Sequence, residues 1–196
     1  MAKKFGNIEL GEVFGGYEIV NQPADKLPQD LASAIGNING GILGATYQPL
    51  WYVGHQLVNG TNHFLICKEI RSTKDQNTCI VGLVINIPPG KVGGEDAKVV
   101  EIIEEAKLLP EVQTAFDTAE KNLVGVGYKP VAYIGSQVVR GVNHYLICQA
   151  RGIYPGAKPY AVIMCINVFE TNVSIVGIAP LENAGKENLF GYAFTW

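Results

Sequence analysis

Two pairs of histidine and cysteine residues are the most reactive side chains that this sequence places at a regular spacing. His63 precedes Cys67 by four positions, and His144 precedes Cys148 by the same interval. Such pairs can form a nucleophilic thiol–imidazole couple or provide two ligands to a metal ion. In a strand, residues four apart share a face but lie about 13 Å apart, at about 3.3 Å per residue. Because neither task tolerates that separation, we expect these residues to be structural and the protein not to be an enzyme.

Both pairs lie in a segment of 12 residues that the chain contains twice, at 56–67 and 137–148, and that we call the phrase. Gln56-Leu57-Val58-Asn59-Gly60 and Gln137-Val138-Val139-Arg140-Gly141 begin 81 positions apart, and each leads into an Asn-His segment. Tyrosines, prolines and glycines around the phrase return at the same offset. A repeat of this period predicts two similar structural units, which we place at residues 15–92 and 93–196.

The composition predicts a globular protein that binds neither nucleic acid nor membrane. Of the 196 residues, 47% are hydrophobic and 17% are charged, and the formal net charge is −3. Phosphate binding needs clustered Lys and Arg, which are absent. The longest apolar runs, such as Ile80–Ile87, are far shorter than a membrane span, and the first residues do not resemble a signal peptide. We therefore expect a soluble, cytoplasmic protein.

Hydrophobic periodicity predicts one helix and an antiparallel meander in each half. Apolar residues recur at helical spacing from about Pro28 to Ile42 and from about Pro110 to Leu123. Strand-like stretches separated by short turn segments follow each helix. They are Ala45–Gln56, Thr61–Ile70 and Thr78–Ile87 in the first half, and Val126–Gln137, Val142–Ile153, Pro159–Phe169 and Val173–Ile178 in the second. The expected fold class is α+β, with each helix packed on one face of an antiparallel sheet.

A strand is also predicted before each helix. Tyr17–Val20 opens the first unit, and we assign Lys98–Ile103 to the start of the second because the Glu-Ile-Ile sequence in it aligns with Glu-Ile-Val in the first. This assignment leaves one edge of the first sheet without a partner strand. An open edge allows strand-swapped dimers, or pairing with a terminal segment of the chain.

The C-terminal tail carries four aromatic residues at alternate positions. Phe190, Tyr192, Phe194 and Trp196 would therefore share one face of a strand. Two interpretations stay open, an edge strand that packs on its own domain and a stripe on which a partner docks.

The glycine in each phrase indicates a tight turn between two strands. A tight strand connection often needs a residue with positive φ, which glycine adopts at the lowest cost. The phrase then describes a hairpin tip that presents backbone and one valine side chain to the outside. This arrangement suits binding better than catalysis.

The phrase resembles the Q-x-V-x-G motif of the cystatin family, which inhibits papain-like cysteine proteases. The two occurrences are Gln56-x-Val58-x-Gly60 and Gln137-x-Val139-x-Gly141. The continuation of the second copy, Gly-Val-Asn-His-Tyr, is similar to the continuation common in that family. The resemblance implies two cystatin-like units, each with one helix on an antiparallel sheet.

The resemblance also implies a tripartite protease-binding wedge. Its parts would be a glycine segment at Gly15-Gly16, the two phrases themselves, and a second hairpin at Pro88-Pro89-Gly90 that resembles the Pro-Gly form of the intracellular stefins. Such a wedge would block the protease cleft sterically and would need no cofactor. In the second unit the corresponding loop, Glu170-Thr171-Asn172, has neither Pro nor Trp. The alternative is a non-inhibitory protein-binding or structural module of the same fold.

Overall fold

The computed structural model describes residues 17–74 and 77–183, and these residues form two compact units that divide after Glu104. The first unit contains β1 (Glu18–Pro23), a short 3-10 helix (Ala24–Lys26), α1 (Gln29–Gly41), β2 (Ala45–Val58), β3 (Gly60–Arg71), β4 (Thr78–Ile87) and β5 (Lys98–Ile103). The second contains α2 (Pro110–Glu120), β6 (Val126–Val139), β7 (Gly141–Gly152), β8 (Tyr160–Phe169), β9 (Asn172–Pro180) and a short 3-10 helix (Leu181–Asn183). The predicted sites at Gly15, Gly16 and the aromatic tail lie outside the described residues.

Each unit is built on an antiparallel meander in which strands that follow one another pair. The strand order is β1-β2-β3-β4-β5 in the first sheet and β6-β7-β8-β9 in the second. Both predicted helices are confirmed, and each buries one apolar face. The buried helix residues are Leu31, Ala34, Ile35 and Ile38 in α1 and Val112, Ala115, Phe116 and Ala119 in α2. Neither of these helices, nor any other in the described ranges, is long and apolar enough to cross a membrane.

The predicted α+β class, with two units each formed by a helix on a sheet, is wrong. The described residues are mostly β, with sheets of five and four strands and two α-helices of 13 and 11 residues. The physical reason is that the central strands are buried on both faces. On β3, Leu65 and Cys67 share a hydrophobic cluster with α1, while their neighbours Phe64 and Ile66, which point to the opposite face, are equally buried.

The second sheet repeats this two-sided burial. Leu146 and Cys148 on β7 pack in one cluster with α2, and the intervening Tyr145 and Ile147 are buried as well. A short helix therefore covers only one of the apolar faces of each sheet. Nearly continuous apolar runs such as Ile80–Ile87 are typical of strands buried on both sides, whereas a sheet with one solvated face alternates apolar and polar residues.

The assignment of Lys98–Ile103 to the second unit is also wrong. As β5 it pairs with β4 of the first sheet, from Gly82 opposite Ile103 to Asn86 opposite Lys98. The local likeness to the first strand misled the assignment because three similar residues do not specify a pairing partner. Among the described residues of the second unit, no strand lies beside β6 in the place that β1 takes beside β2.

The connection from β4 to β5, residues 88–97, folds back onto α1. The Gly93 amide donates a hydrogen bond to Asp30 Oδ1 at 3.1 Å, and Asn37 Nδ2 donates to the Gly93 and Gly94 carbonyls at 3.4 and 3.3 Å. Gly94 has a φ of 70°, and a Cβ on it would overlap the backbone of Ala34. This connection is therefore anchored on the helix by a glycine that no other residue can replace without displacing the loop.

Replacing Gly94 with alanine should destabilise the protein more than replacing its neighbour Gly93. Both glycines have positive φ, but a Cβ on Gly93 meets open space. We expect Gly93→Ala to lower the free energy of unfolding by about 1 kcal/mol through backbone strain, and Gly94→Ala by about 2 kcal/mol or more because overlap with Ala34 is added. Urea unfolding of both variants measures the difference, and equal losses would contradict the proposed packing.

Candidate functional site

The repeated phrase forms the tip of the hairpin that joins two long strands in each unit. We call Gln56–Gly60 the first nose and Gln137–Gly141 the second nose. In the first nose Leu57 lies opposite Thr61, and its side chain is 75% exposed. In the second, Val138 lies opposite Val142 and is 84% exposed. Both noses therefore present an apolar side chain to solvent, one position earlier than the valine of the motif.

The glycine that ends each nose is required by two independent constraints. Gly60 and Gly141 have φ of 95° and 90°, values that other residues rarely adopt. A Cβ on Gly60 would also overlap the carbonyl oxygen of Ile87, and one on Gly141 would overlap that of Val168. Each nose thus packs tightly against the end of the neighbouring strand, where the next connection begins.

A pair of asparagines braces each nose, and the sequence reasoning missed it. Asn86 Nδ2 donates to Asn62 Oδ1 at 2.8 Å and to the Asn59 carbonyl at 3.4 Å. In the second unit Asn167 Nδ2 donates to Asn143 Oδ1 at 2.8 Å and to the tip carbonyl of Arg140 at 3.3 Å. Both asparagines recur at the 81-residue offset, so the repeat contained the signal.

The glutamines of the motif lie at the base of the noses. Gln56 is only 2% exposed, and so its side chain does not face outwards. Gln137 is half-buried, and its Oε1 accepts a hydrogen bond from the hydroxyl of Tyr145 at 3.0 Å. The first unit has Phe64 at the position of Tyr145 and cannot make that bond. These glutamines therefore fix the base of the nose, and the exposed tip residues are the ones available to a partner.

In the first unit the nose and the connection from β4 to β5 form the walls of one groove. Leu57, Val58 and Gly60 of the nose and Pro88-Pro89-Gly90 of the connection line it together. Residues at the start of α1 also line the groove, which is open and has a volume of about 600 Å³. Two predicted contact segments that are about 30 residues apart in sequence are thus adjacent in space, with Asp30 and Lys91 also among the lining residues.

The second nose has a different neighbour. The turn from β8 to β9 comprises only Glu170 and Thr171, and Glu170 has a φ of 55°. The guanidinium of Arg140 lies over the ring of Phe169 with its Cζ 5.0 Å from the ring centroid, a cation–π contact that holds the tip against this turn. The second unit therefore repeats the nose without the proline-containing wall that the first unit has.

Each histidine of the phrase is hydrogen-bonded to a tyrosine of the adjacent strand. Tyr52 Oη lies 2.8 Å from His63 Nδ1, and Tyr133 Oη lies 3.1 Å from His144 Nδ1. Burial lowers the pKa of His63 to about 4, with a smaller contribution from nearby His55. Burial lowers the pKa of His144 as well. Both imidazoles are therefore neutral at physiological pH and serve as hydrogen-bonding parts of the sheet.

The cysteines of the phrase are free, fully buried thiols. Burial raises the pKa of Cys67 to about 12 and raises the pKa of Cys148 as well. Both thiols therefore stay protonated at neutral pH, and the reactive thiolate does not form. Within residues 17–74 and 77–183, no cluster of three or more His, Cys, Asp or Glu side chains could hold a metal ion. The two hairpin noses, by contrast, carry exposed side chains, and the first nose lines an open groove.

Comparison with known proteins found no protein-family model that matches the chain and no significant match among curated proteins. The cystatin resemblance therefore rests on the motif residues and their spacing.

The low pKa of His63 makes stability depend on pH in a defined window. An unfolded chain protonates this side chain near pH 6.5, whereas the folded chain resists protonation down to about pH 4. The stabilisation is therefore fully present above pH 6.5 and is lost as the pH falls towards 4. NMR titration of the native protein should give a midpoint near 4 for His63. A midpoint near 6.5 would show that its ring is exposed and not bonded to Tyr52 as described.

Proposed function

We propose that the first unit inhibits papain-like cysteine proteases by inserting the first nose and the Pro88–Gly90 segment together into the protease cleft. The observation that carries this proposal is the groove that the first nose and Pro88-Pro89-Gly90 line together, with Gly60 packed against the Ile87 carbonyl. The class of target comes from the resemblance of the phrase to the cystatin motif. A wedge of this kind needs no catalytic residue and no cofactor.

The physical basis of binding would be apolar contact by loops that are already in place. Leu57 and Val58 are exposed, and burying one such side chain completely in a complex contributes about 1.5–3 kcal/mol. Asn86 holds the nose from one side, and the bonds of Gly93 and Gly94 to α1 hold the second connection. Because these segments are fixed before binding, little conformational entropy is lost when the complex forms.

The wedge would inhibit without being cleaved because it occupies the cleft without placing a peptide bond in line with the catalytic thiol. The second nose is the weaker candidate, since its neighbour is a two-residue turn and Arg140 lies against Phe169. We therefore assign inhibition to the first unit alone. A cytoplasmic location remains a prediction from the sequence.

A second candidate function is a non-inhibitory protein-binding or structural module. The burial of Gln56 favours it, because a motif residue that is almost inaccessible braces the fold and leaves fewer side chains for a protease. The two functions differ in a simple outcome. The inhibitor slows substrate hydrolysis by a papain-like enzyme, and the module does not.

Matched substitutions at the two noses test the proposal. Leu57 and Val138 occupy equivalent, exposed positions, so Leu57→Asp and Val138→Asp should leave the free energy of unfolding nearly unchanged. We expect Leu57→Asp to weaken inhibition of a papain-like protease by at least about tenfold, which is about 1.4 kcal/mol of binding free energy, and Val138→Asp to have no effect. The readout is the inhibition constant of the whole chain, measured with a fluorogenic peptide substrate.

Two results would contradict the proposal. Absence of inhibition by the unaltered chain at micromolar concentration would remove the inhibitor function and favour the module. Equal losses in the Leu57 and Val138 variants would place binding on both noses and contradict the assignment to the first unit.

A further inference from the structure

The chain contains two Asn-Gly pairs, and the structure places them in opposite environments. Asn39-Gly40 lies inside α1, and Asn59-Gly60 forms the tip of the first nose. In an Asn-Gly pair the glycine nitrogen can attack the side-chain carbonyl of the asparagine, because glycine lacks the Cβ that shields this nitrogen in other residues. Whether attack occurs depends on the freedom of the asparagine side chain and of the backbone beside it.

The side chain of Asn59 is free to move. Asn59 is exposed, and among the described residues no hydrogen bond engages its side-chain amide. The hydrogen bond from Asn86 Nδ2, at 3.4 Å, is made to the main-chain carbonyl of Asn59 and does not engage its side chain. The residue lies outside β2 and β3, at the point where the chain reverses. Attack by the Gly60 nitrogen therefore requires no hydrogen bond of the Asn59 side chain to break.

Both polar atoms of the Asn39 side-chain amide are hydrogen-bonded. Its Nδ2 donates to the Tyr47 carbonyl at 2.9 Å, and its Oδ1 accepts from the Tyr47 amide at 2.8 Å. Its position within α1 commits the following backbone to helical geometry, which points the next nitrogen away from the side chain. Attack at this site requires the helix to open and both bonds to break.

We propose that Asn59 is a site of spontaneous deamidation. The backbone nitrogen of Gly60 loses its proton and forms a bond to Cγ of Asn59, the Cγ–Nδ2 bond breaks, and the amide leaves as ammonia. Water then opens the five-membered imide at one of its two carbonyls. The products are aspartate and isoaspartate at position 59, and the net reaction consumes one water and releases one ammonia without any oxidant, reductant or enzyme.

The products change the nose in charge and in geometry. Both add a negative charge beside the exposed Leu57 and Val58. Isoaspartate also routes the backbone through the side chain and adds one carbon to a turn in which Gly60 packs against Ile87. A tight turn with that contact cannot absorb an added atom without moving. The first nose therefore presents a different surface before and after deamidation. The second nose has Arg140 at the equivalent position and cannot deamidate there.

Peptide mapping of the intact chain tests the proposal. After incubation under native conditions at mildly alkaline pH, mass spectrometry of proteolytic peptides should show NH2 replaced by OH at Asn59. Isoaspartyl methyltransferase should label the same peptide. We expect deamidation at Asn59 to be at least about tenfold faster than at Asn39, which corresponds to an opening cost of about 1.4 kcal/mol at the helical site. In urea, where both pairs are unfolded, the two rates should become similar.

Two variants serve as controls. Asn59→Arg copies the tip of the second nose and should abolish the modification of that peptide, and Asn59→Gln should nearly abolish it because a six-membered ring closes far more slowly. An unmodified Asn59 in the native chain, or equal native rates at Asn39 and Asn59, would overturn the proposal. The readout is the mass of the peptide that contains position 59, so its result does not depend on protease inhibition. Only a loss of inhibition on ageing would rest on the proposed function.

Discussion

The contact between the nose glycine and the carbonyl of the neighbouring strand is the interaction on which the candidate site depends. Gly60 meets the Ile87 carbonyl so closely that no Cβ fits between them, and Gly141 meets Val168 in the same way. The contact joins a hairpin tip to the start of the next connection. In the first unit, that connection carries two prolines and is bonded to α1, so three segments that are distant in sequence form one rigid edge.

Burial on both faces of the sheets explains how such an edge can be rigid. The central strands place apolar residues on successive positions, and Phe64 and Ile66 are as buried as Leu65 and Cys67. Long strands held on both sides leave their tips little freedom to bend at the base. The same burial fixes the histidines as neutral partners of Tyr52 and Tyr133 and keeps the thiols protonated. The side chains that could do chemistry thus stabilise the strands that carry the noses.

The sequence predicted the features that depend on local pattern. Helical spacing gave α1 and α2, and the need for positive φ gave the role of Gly60 and Gly141. Features that depend on long-range contact were missed or misjudged. The pairing of β5 with β4 and the burial of Gln56 depend on contacts that the local pattern does not specify. The bonds of Asn86 join two strands that the predicted meander places side by side, and they were missed although both asparagines recur at the 81-residue offset. The predicted fold class is wrong because the continuous apolar runs form strands that are buried on both faces.

The stoichiometry of the complex with a papain-like protease distinguishes binding by the first unit alone from binding by both units. We assign binding to the edge that Gly60, Ile87 and Pro88 form in the first unit. In the described part of the second unit, the two-residue turn Glu170-Thr171 stands in place of the proline-containing connection. A protease of known active-site concentration is titrated with the whole chain, and the mass of the complex is then measured by light scattering. We expect one enzyme per chain. Two enzymes per chain, or none, would contradict the assignment of protease binding to the first unit.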